Sequence, residues 1–205
     1  MRQGKLIALY GINNLGKTTQ AKRLVARIQE EGPRQHNQVL RMKFPLYEHE
    51  PTGPIINSYL REGNPFELDA TGFQIVQCAN RLHFDPSMKV AMEMGIWVVA
   101  EDYRGTGLAW GIGKGVNRVL LETLNASLVP EDLAILMDGE RFRDAIEGGH
   151  RHEQDDDLTK KVRAVHLELA SQNGWIVVNT NRPEEVVHEE IWSIVSSKFL
   201  KEAVI

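Results

Sequence analysis

Five short apolar runs punctuate the chain, at residues 6–10, 39–44, 96–100, 133–137 and 175–179, and the stretches between them carry apolar residues at helical spacing. Leu6, Ile7, Ala8, Leu9 and Tyr10 form the first run with no charged or amide residue between them, the pattern of a strand buried on both faces. Leu24, Val25 and Ile28 then continue a helical apolar stripe. Strands and helices alternating in this way predict an α/β fold, a five-stranded parallel sheet covered by helices on both faces. Ligands are expected beyond the carboxyl ends of its strands. A helix is expected over residues 65–83, opened by Pro65. It carries Leu68, Ile75, Ala79 and Leu82 on one side, and Gln74, Gln77 and Arg81 on another side that faces a cleft. Gly174 is placed to end the helix before the fifth run and Pro183 to open the one after it.

The junction between the first run and the first helix reads Gly11-Ile12-Asn13-Asn14-Leu15-Gly16-Lys17-Thr18, a complete G-x-x-x-x-G-K-S/T phosphate loop. Glycines permit close backbone approach to a polyphosphate, and a helix N-terminus behind the loop favours anions. Asn14, Leu15, Gly16, Lys17, Thr18 and Thr19 are therefore the expected ATP-binding residues. Lys17 reaches the β- and γ-phosphates, and the Thr18 hydroxyl takes a magnesium position.

With 205 residues, 42% hydrophobic and 25% charged, the chain is expected to form one domain over residues 1–205. A net charge of −4 offers no electrostatic footprint for nucleic acid or an anionic membrane, so small ligands are expected. Cys78 is the only cysteine, which excludes an intramolecular disulfide, and no apolar run has the length of a membrane span or the form of a signal peptide. A cytoplasmic location is expected.

Beyond the second strand stand Phe44-Pro45 and Tyr47, then Thr52-Gly53 and Tyr59-Leu60. Ala79-Asn80-Arg81 lies on the third helix, and Glu101-Asp102-Tyr103-Arg104 closes the third strand. In this order and spacing, with Gly16-Lys17-Thr18-Thr19-Gln20 and with His150-Arg151-His152-Glu153-Gln154 ahead of the helix near residue 163, the chain resembles the thymidylate kinase family of nucleoside monophosphate kinases. The resemblance implies the P-loop kinase fold with a short lid, over about residues 141–156. It also implies transfer of the γ-phosphoryl group from ATP, with Mg2+, to a deoxynucleoside monophosphate, dTMP first among them. A homodimer is implied as well.

The expected catalytic residues are Lys17, Arg151 and Glu101, with Arg104 added as compensation for a departure from the family pattern; Thr18 and Glu101 are expected on the metal and Arg143 among the ATP ligands. Asn13, Phe44, Pro45, Tyr47, Gln77, Arg81, Tyr103 and Trp110 are the expected acceptor residues. The departures from the pattern matter equally. Asp102 stands where the family has a phosphate-clamping arginine, Tyr47 replaces a common arginine, and Gln77 replaces a ring that stacks on thymine. The expected compensation is that Arg104 reaches the acceptor phosphate while Glu101 serves the metal, with Lys43 as the other candidate cation. Gly148-Gly149 gives the lid a hinge, and Arg141, Arg143 and Arg151 are its available arginines. Two further readings stand beside this one. The first is a kinase with shifted base specificity, for a modified pyrimidine or a purine deoxynucleotide. The second is a nucleotide-binding homologue that has lost transfer, which Asp102 favours and the intact Lys17-Thr18 pair opposes.

Overall fold

A computed structural model describes residues 4–32, 38–141 and 155–200. The strands are β1 (Leu6–Tyr10), β2 (Val39–Lys43), β3 (Trp97–Glu101), β4 (Leu133–Asp138) and β5 (Ile176–Asn179). They form one parallel sheet in the order β2-β3-β1-β4-β5. The helices are α1 (Lys17–Glu31), α2 (Thr52–Arg61), α3 (Ala70–Glu93), α4 (Arg104–Gly113), α5 (Arg118–Asn125), α6 (Asp156–Asn173) and α7 (Glu184–Phe199).

Strand side chains alternate between faces, and both faces of β1 are buried. Ile7 and Leu9 pack with Leu24 and Ile28 of α1 and with Ile191 and Val195 of α7. Leu6, Ala8 and Tyr10 pack on the opposite face with Met88 and Met92 of α3 and with Leu128 and Val129. This two-sided cover explains the uninterrupted apolar run at residues 6–10. No helix among the described residues is long and apolar enough to cross a membrane.

The third helix departs from its expected limits. It starts at Ala70 rather than Pro65, because Asp69 caps it by accepting a hydrogen bond from the Gly72 amide at 2.6 Å. It then runs through Pro86 to Glu93. Gly174 ends α6 in the left-handed conformation as expected, while Pro183 occupies the N-cap of α7 rather than its first turn.

The register aligns the strand ends. Leu9 pairs with Glu101, Lys43 with Glu101, Tyr10 with Leu136 and Asp138 with Asn179. The segments after β1, β2, β3 and β5 therefore emerge along one edge of the sheet, where open α/β sheets bind ligands.

Candidate active site

Along that edge lies a cleft of about 530 Å³. Its floor is the phosphate loop. A Cβ at Gly11 would lie 2.4 Å from the Met137 carbonyl oxygen, so only glycine lets the loop pass β4 this closely. Gly16, at φ 79°, turns the chain into α1, and no side chain caps that helix. Its first-turn amides are thus left for an anion. Asn13, Asn14, Leu15, Gly16, Lys17, Thr18 and Thr19 all line the cleft.

Lys17 is buried, and its ammonium donates to the carbonyls of Gly11 at 3.0 Å and Ile12 at 2.6 Å. It also lies 3.5 Å from Oδ1 of Asp102. Asp102 lines the cleft at the end of β3 in the left-handed region, φ 57°. That conformation is uncommon outside glycine and marks a position fixed by its surroundings. Burial pushes the Asp102 carboxyl up from the ordinary range, while Lys17 and Lys43 pull it back.

Glu101 takes another place than the sequence suggests. It is fully buried below the cleft, one carboxylate oxygen accepting the Thr18 hydroxyl at 2.6 Å and the other pairing with Arg41 at 2.5 Å. Glu101 therefore orients Thr18, and it does not itself line the cleft. Its position is dictated by strand alternation: Glu101 is the last residue of β3, and Asp102 is the first to turn outward.

Two other expectations are corrected. Tyr103 is enclosed against Phe44, ring centroids 5.4 Å apart, with its hydroxyl 3.4 Å from Asp85, and does not line the cleft. Arg104 points the opposite way, into a smaller cavity beside Trp175. Its guanidinium pairs with the buried carboxylate of Glu131 at 2.6 Å, which also accepts from the Tyr10 hydroxyl. A carboxylate in a low-dielectric setting outcompetes a solvated anion for that guanidinium. Arg104→Ala is expected to cost about 1–3 kcal/mol of stability by stripping a partner from Glu131. Acceptor kcat/KM should stay within about threefold, because the substitution removes no contact to the transition state. Thermal unfolding and steady-state kinetics of the variant check both.

The wall opposite the loop comes from the turn after β2 and from α3. Phe44, Pro45 and Tyr47 line it, and Arg61 of α2 lies over the Tyr47 ring at 4.8 Å. Asn80 clips this turn to α3. It accepts from the Leu46 amide at 2.8 Å and donates to the Leu46 carbonyl at 3.0 Å and to Thr52 at 2.9 Å. On either side of Asn80, Gln77 and Arg81 reach the cleft, with Gln74 a turn earlier.

Arg81 is 2% exposed, and its Nε and Nη2 have no hydrogen-bond partner, as is also true of Oε1 of the buried Gln74. Burial lowers the Arg81 pKa, as expected of a cation removed from water. Two glycines of α4 make room. A Cβ at Gly107 would lie 2.4 Å from Arg81 Nη2, and one at Gly111 would lie 2.6 Å from the Leu121 side chain and 3.3 Å from Gln74 Cγ. Trp110 both lines the cleft and packs with Ile12, Leu15 and Val162.

Sequence reasoning missed Phe73, a ring on the cleft wall one helical turn before Gln77. It also missed Thr180 and Arg182 beyond β5. The rule that function follows strand ends points to Arg182, which the sequence pattern marks only as the approach to a helix. Its guanidinium donates to the Asn179 carbonyl at 2.9 Å and 3.0 Å. Arg143, Arg151 and most of the expected lid lie outside the described residues.

A phosphate loop, a buried guanidinium with two unpartnered nitrogens and the Asp102 carboxylate at the end of β3 line one cleft. A family model described as thymidylate kinase matches residues 9–191. The chain belongs to the thymidylate kinase family. It is thereby a nucleoside monophosphate kinase, a phosphotransferase.

The thymidylate kinase of Dictyostelium discoideum is 26% identical, over 98% of this chain and 89% of that protein. That of Deinococcus radiodurans is 28% identical, over 97% and 99%. In fold, the chain matches the thymidylate kinase structure from Candida albicans with a TM-score of 0.78 at 21% identity, covering 96% of this chain and 93% of that one. The structure from Ehrlichia chaffeensis gives 0.73 at 20%, covering 94% and 98%.

Proposed function

We propose that the protein transfers the γ-phosphoryl group of ATP to dTMP, giving ADP and dTDP. The observation that carries this reading is a single cleft with Lys17 and the open end of α1 on its floor and the buried Arg81 guanidinium on its far wall. A polyphosphate suits the first and a base carbonyl the second.

In the reaction an oxygen of the acceptor phosphate forms a bond to the γ-phosphorus. The bond from that phosphorus to the β,γ-bridging oxygen breaks, and ADP leaves with the electron pair. A phosphate dianion needs no base to attack, so the protein's work is positioning and electrostatic stabilisation. Lys17 and the loop amides hold the donor phosphates. Arg182, held by its bonds to the Asn179 carbonyl and by Glu190, and the nearby Val187 flank the donor base. Phe44, Tyr47 and Asn13 position the acceptor sugar and phosphate, and Phe73, Gln77, Arg81 and Trp110 its base.

Magnesium fits the residues present. Among the described residues no group of three or more His, Cys, Asp or Glu forms a cage. Mg2+ instead favours one or two protein oxygens completed by water and phosphate. Thr18 would hold it, oriented by Glu101, and the bound ion would neutralise phosphate charge as transfer proceeds.

The reading extends to a homodimer in the cytoplasm. Ile75, Leu82 and Val90, 47%, 38% and 55% exposed, form an apolar stripe along the outer face of α3 that a second copy would cover. Sedimentation at micromolar concentration tests the dimer. The function is tested by ADP release from ATP and Mg2+ with dTMP, dUMP, dCMP and dGMP, with mass identification of the diphosphate. ADP formation independent of any acceptor would overturn it.

A further inference from the structure

Resting on this phosphotransferase reading, we propose that Lys43 is the catalytic cation at the transferring phosphoryl group, with Asp102 as the counter-ion that keeps Lys43 and Lys17 together at the loop. The charges on the cleft wall lead to it. Arg182 is engaged by Asn179, Arg61 lies on the Tyr47 ring, and Arg81 is enclosed between α3 and α4. Arg104, the nearest arginine to the altered position, is committed to Glu131.

Lys43 remains. As the last residue of β2 it stands in register beside Glu101, and it lines the cleft. Its ammonium lies 3.2 Å from Thr18 Oγ1, at the seam between the loop and the acceptor wall. Arg41, two residues earlier on the same strand, occupies the free oxygen of Glu101, so that carboxylate does not capture Lys43. The exposed lysine meets a neutral hydroxyl through a flexible stem. A rotamer change is enough to exchange that hydroxyl for a phosphate oxygen.

Asp102 explains why an acid is tolerated where phosphate must come close. It lies 3.5 Å from Lys17 and feels the charge of Lys43 as well. The Asp102 carboxylate and the ammonium groups of Lys17 and Lys43, which all line the cleft, sum to a net positive charge, so the site still attracts phosphate. As the acceptor oxygen bonds to the γ-phosphorus and the bond to the bridging oxygen breaks, charge accumulates on the equatorial oxygens, where Lys43 stands.

The test uses the full chain with ATP, Mg2+ and dTMP. Lys43→Met is expected to lower kcat about 100-fold, the loss typical of one removed transition-state stabiliser, with each KM changed less than about fivefold. Lys43→Arg should retain activity within about tenfold. Asp102→Asn is expected to lower kcat about tenfold, and in Lys43→Met/Asp102→Asn the two losses should not multiply, since the carboxylate acts in part through Lys43.

Calorimetric binding separates this inference from the reading beneath it. Lys43→Met should weaken ATP about fivefold and leave ADP unchanged, because only ATP carries the phosphoryl group that the ammonium meets. If the wild type phosphorylates no deoxynucleoside monophosphate, the reading fails, and equal loss of ATP and ADP affinity, or of neither, then overturns the role of Lys43. In an active enzyme, kcat within threefold of wild type in Lys43→Met overturns it, as does a change confined to KM.

Discussion

Lys17→Ala is expected to lower kcat by about three orders of magnitude while the protein stays folded. The ammonium is the floor of the donor site, and removing one preorganised stabiliser at a transferring phosphoryl group costs about 10²–10³-fold. Loss of its grip on the β- and γ-phosphates adds to that. Folding survives for local reasons. The carbonyls of Gly11 and Ile12 can turn to water from the open cleft. Asp102 keeps the Thr106 hydroxyl at 3.3 Å. Burial already raises its pKa, so it takes up a proton more readily than an ordinary carboxylate when the lysine is gone. Coupled ADP release together with thermal unfolding reads both quantities. A folded variant with wild-type turnover would remove Lys17 from the donor site.

The second large effect concerns the base. Arginine only donates, and O4 of thymine only accepts, whereas cytosine presents an amino donor at the same edge. Buried donors facing a second donor stay unpaired, and a polar site rejects such a mismatch by about 10⁴-fold in kcat/KM. A missing methyl group in a wall of rings is worth far less, about tenfold. The expected order is dTMP, then dUMP within about tenfold, then dCMP about 10⁴-fold below dTMP. Arg81→Met should reduce kcat/KM for dTMP by about 10³-fold and leave the small value for dCMP nearly unchanged. A preference for dCMP, or no discrimination among the three, would show that the face of α3 bearing Gln74, Gln77 and Arg81 does not read the base.

The same helix shows how far sequence pattern reaches. On α3 the side bearing Ile75, Ala79 and Leu82 is exposed, and the side bearing Gln74 and Arg81 is buried on the cleft. Spacing separates these two sides, although Leu68, expected on the apolar side, precedes α3 and packs with Ile56 and Phe73; the phosphate loop at residues 11–18 gives the polar side its reason to face inward. A polar face turned inward has unpartnered atoms until something binds. Binary pattern alone would send it to solvent.

What the sequence determined by itself is what local chemistry controls. Uninterrupted apolar runs specify strands covered on both sides, and their alternation with helices specifies a parallel sheet. The loop at Gly11 to Thr18 needs only its own glycines, lysine and threonine to cradle phosphate, so it was legible at once. Asn80 and Arg81 were legible as a motif, though not that the first clips the turn at Leu46 while the second enters the cleft.

Tertiary structure alone decided the competition among charges. Glu101, Asp102 and Arg104 are nearly adjacent in the chain, yet one lies under the loop, one faces the cleft, and one turns away to Glu131, 27 positions further along. Which acid meets which base depends on strand alternation, on the left-handed turn at Asp102 and on the arrival of Glu131, Arg41 and Lys43 from other segments. Ion pairing is non-local and is set by burial, because a desolvated carboxylate takes the first well-placed cation that the fold supplies. No spacing within a single segment encodes that choice.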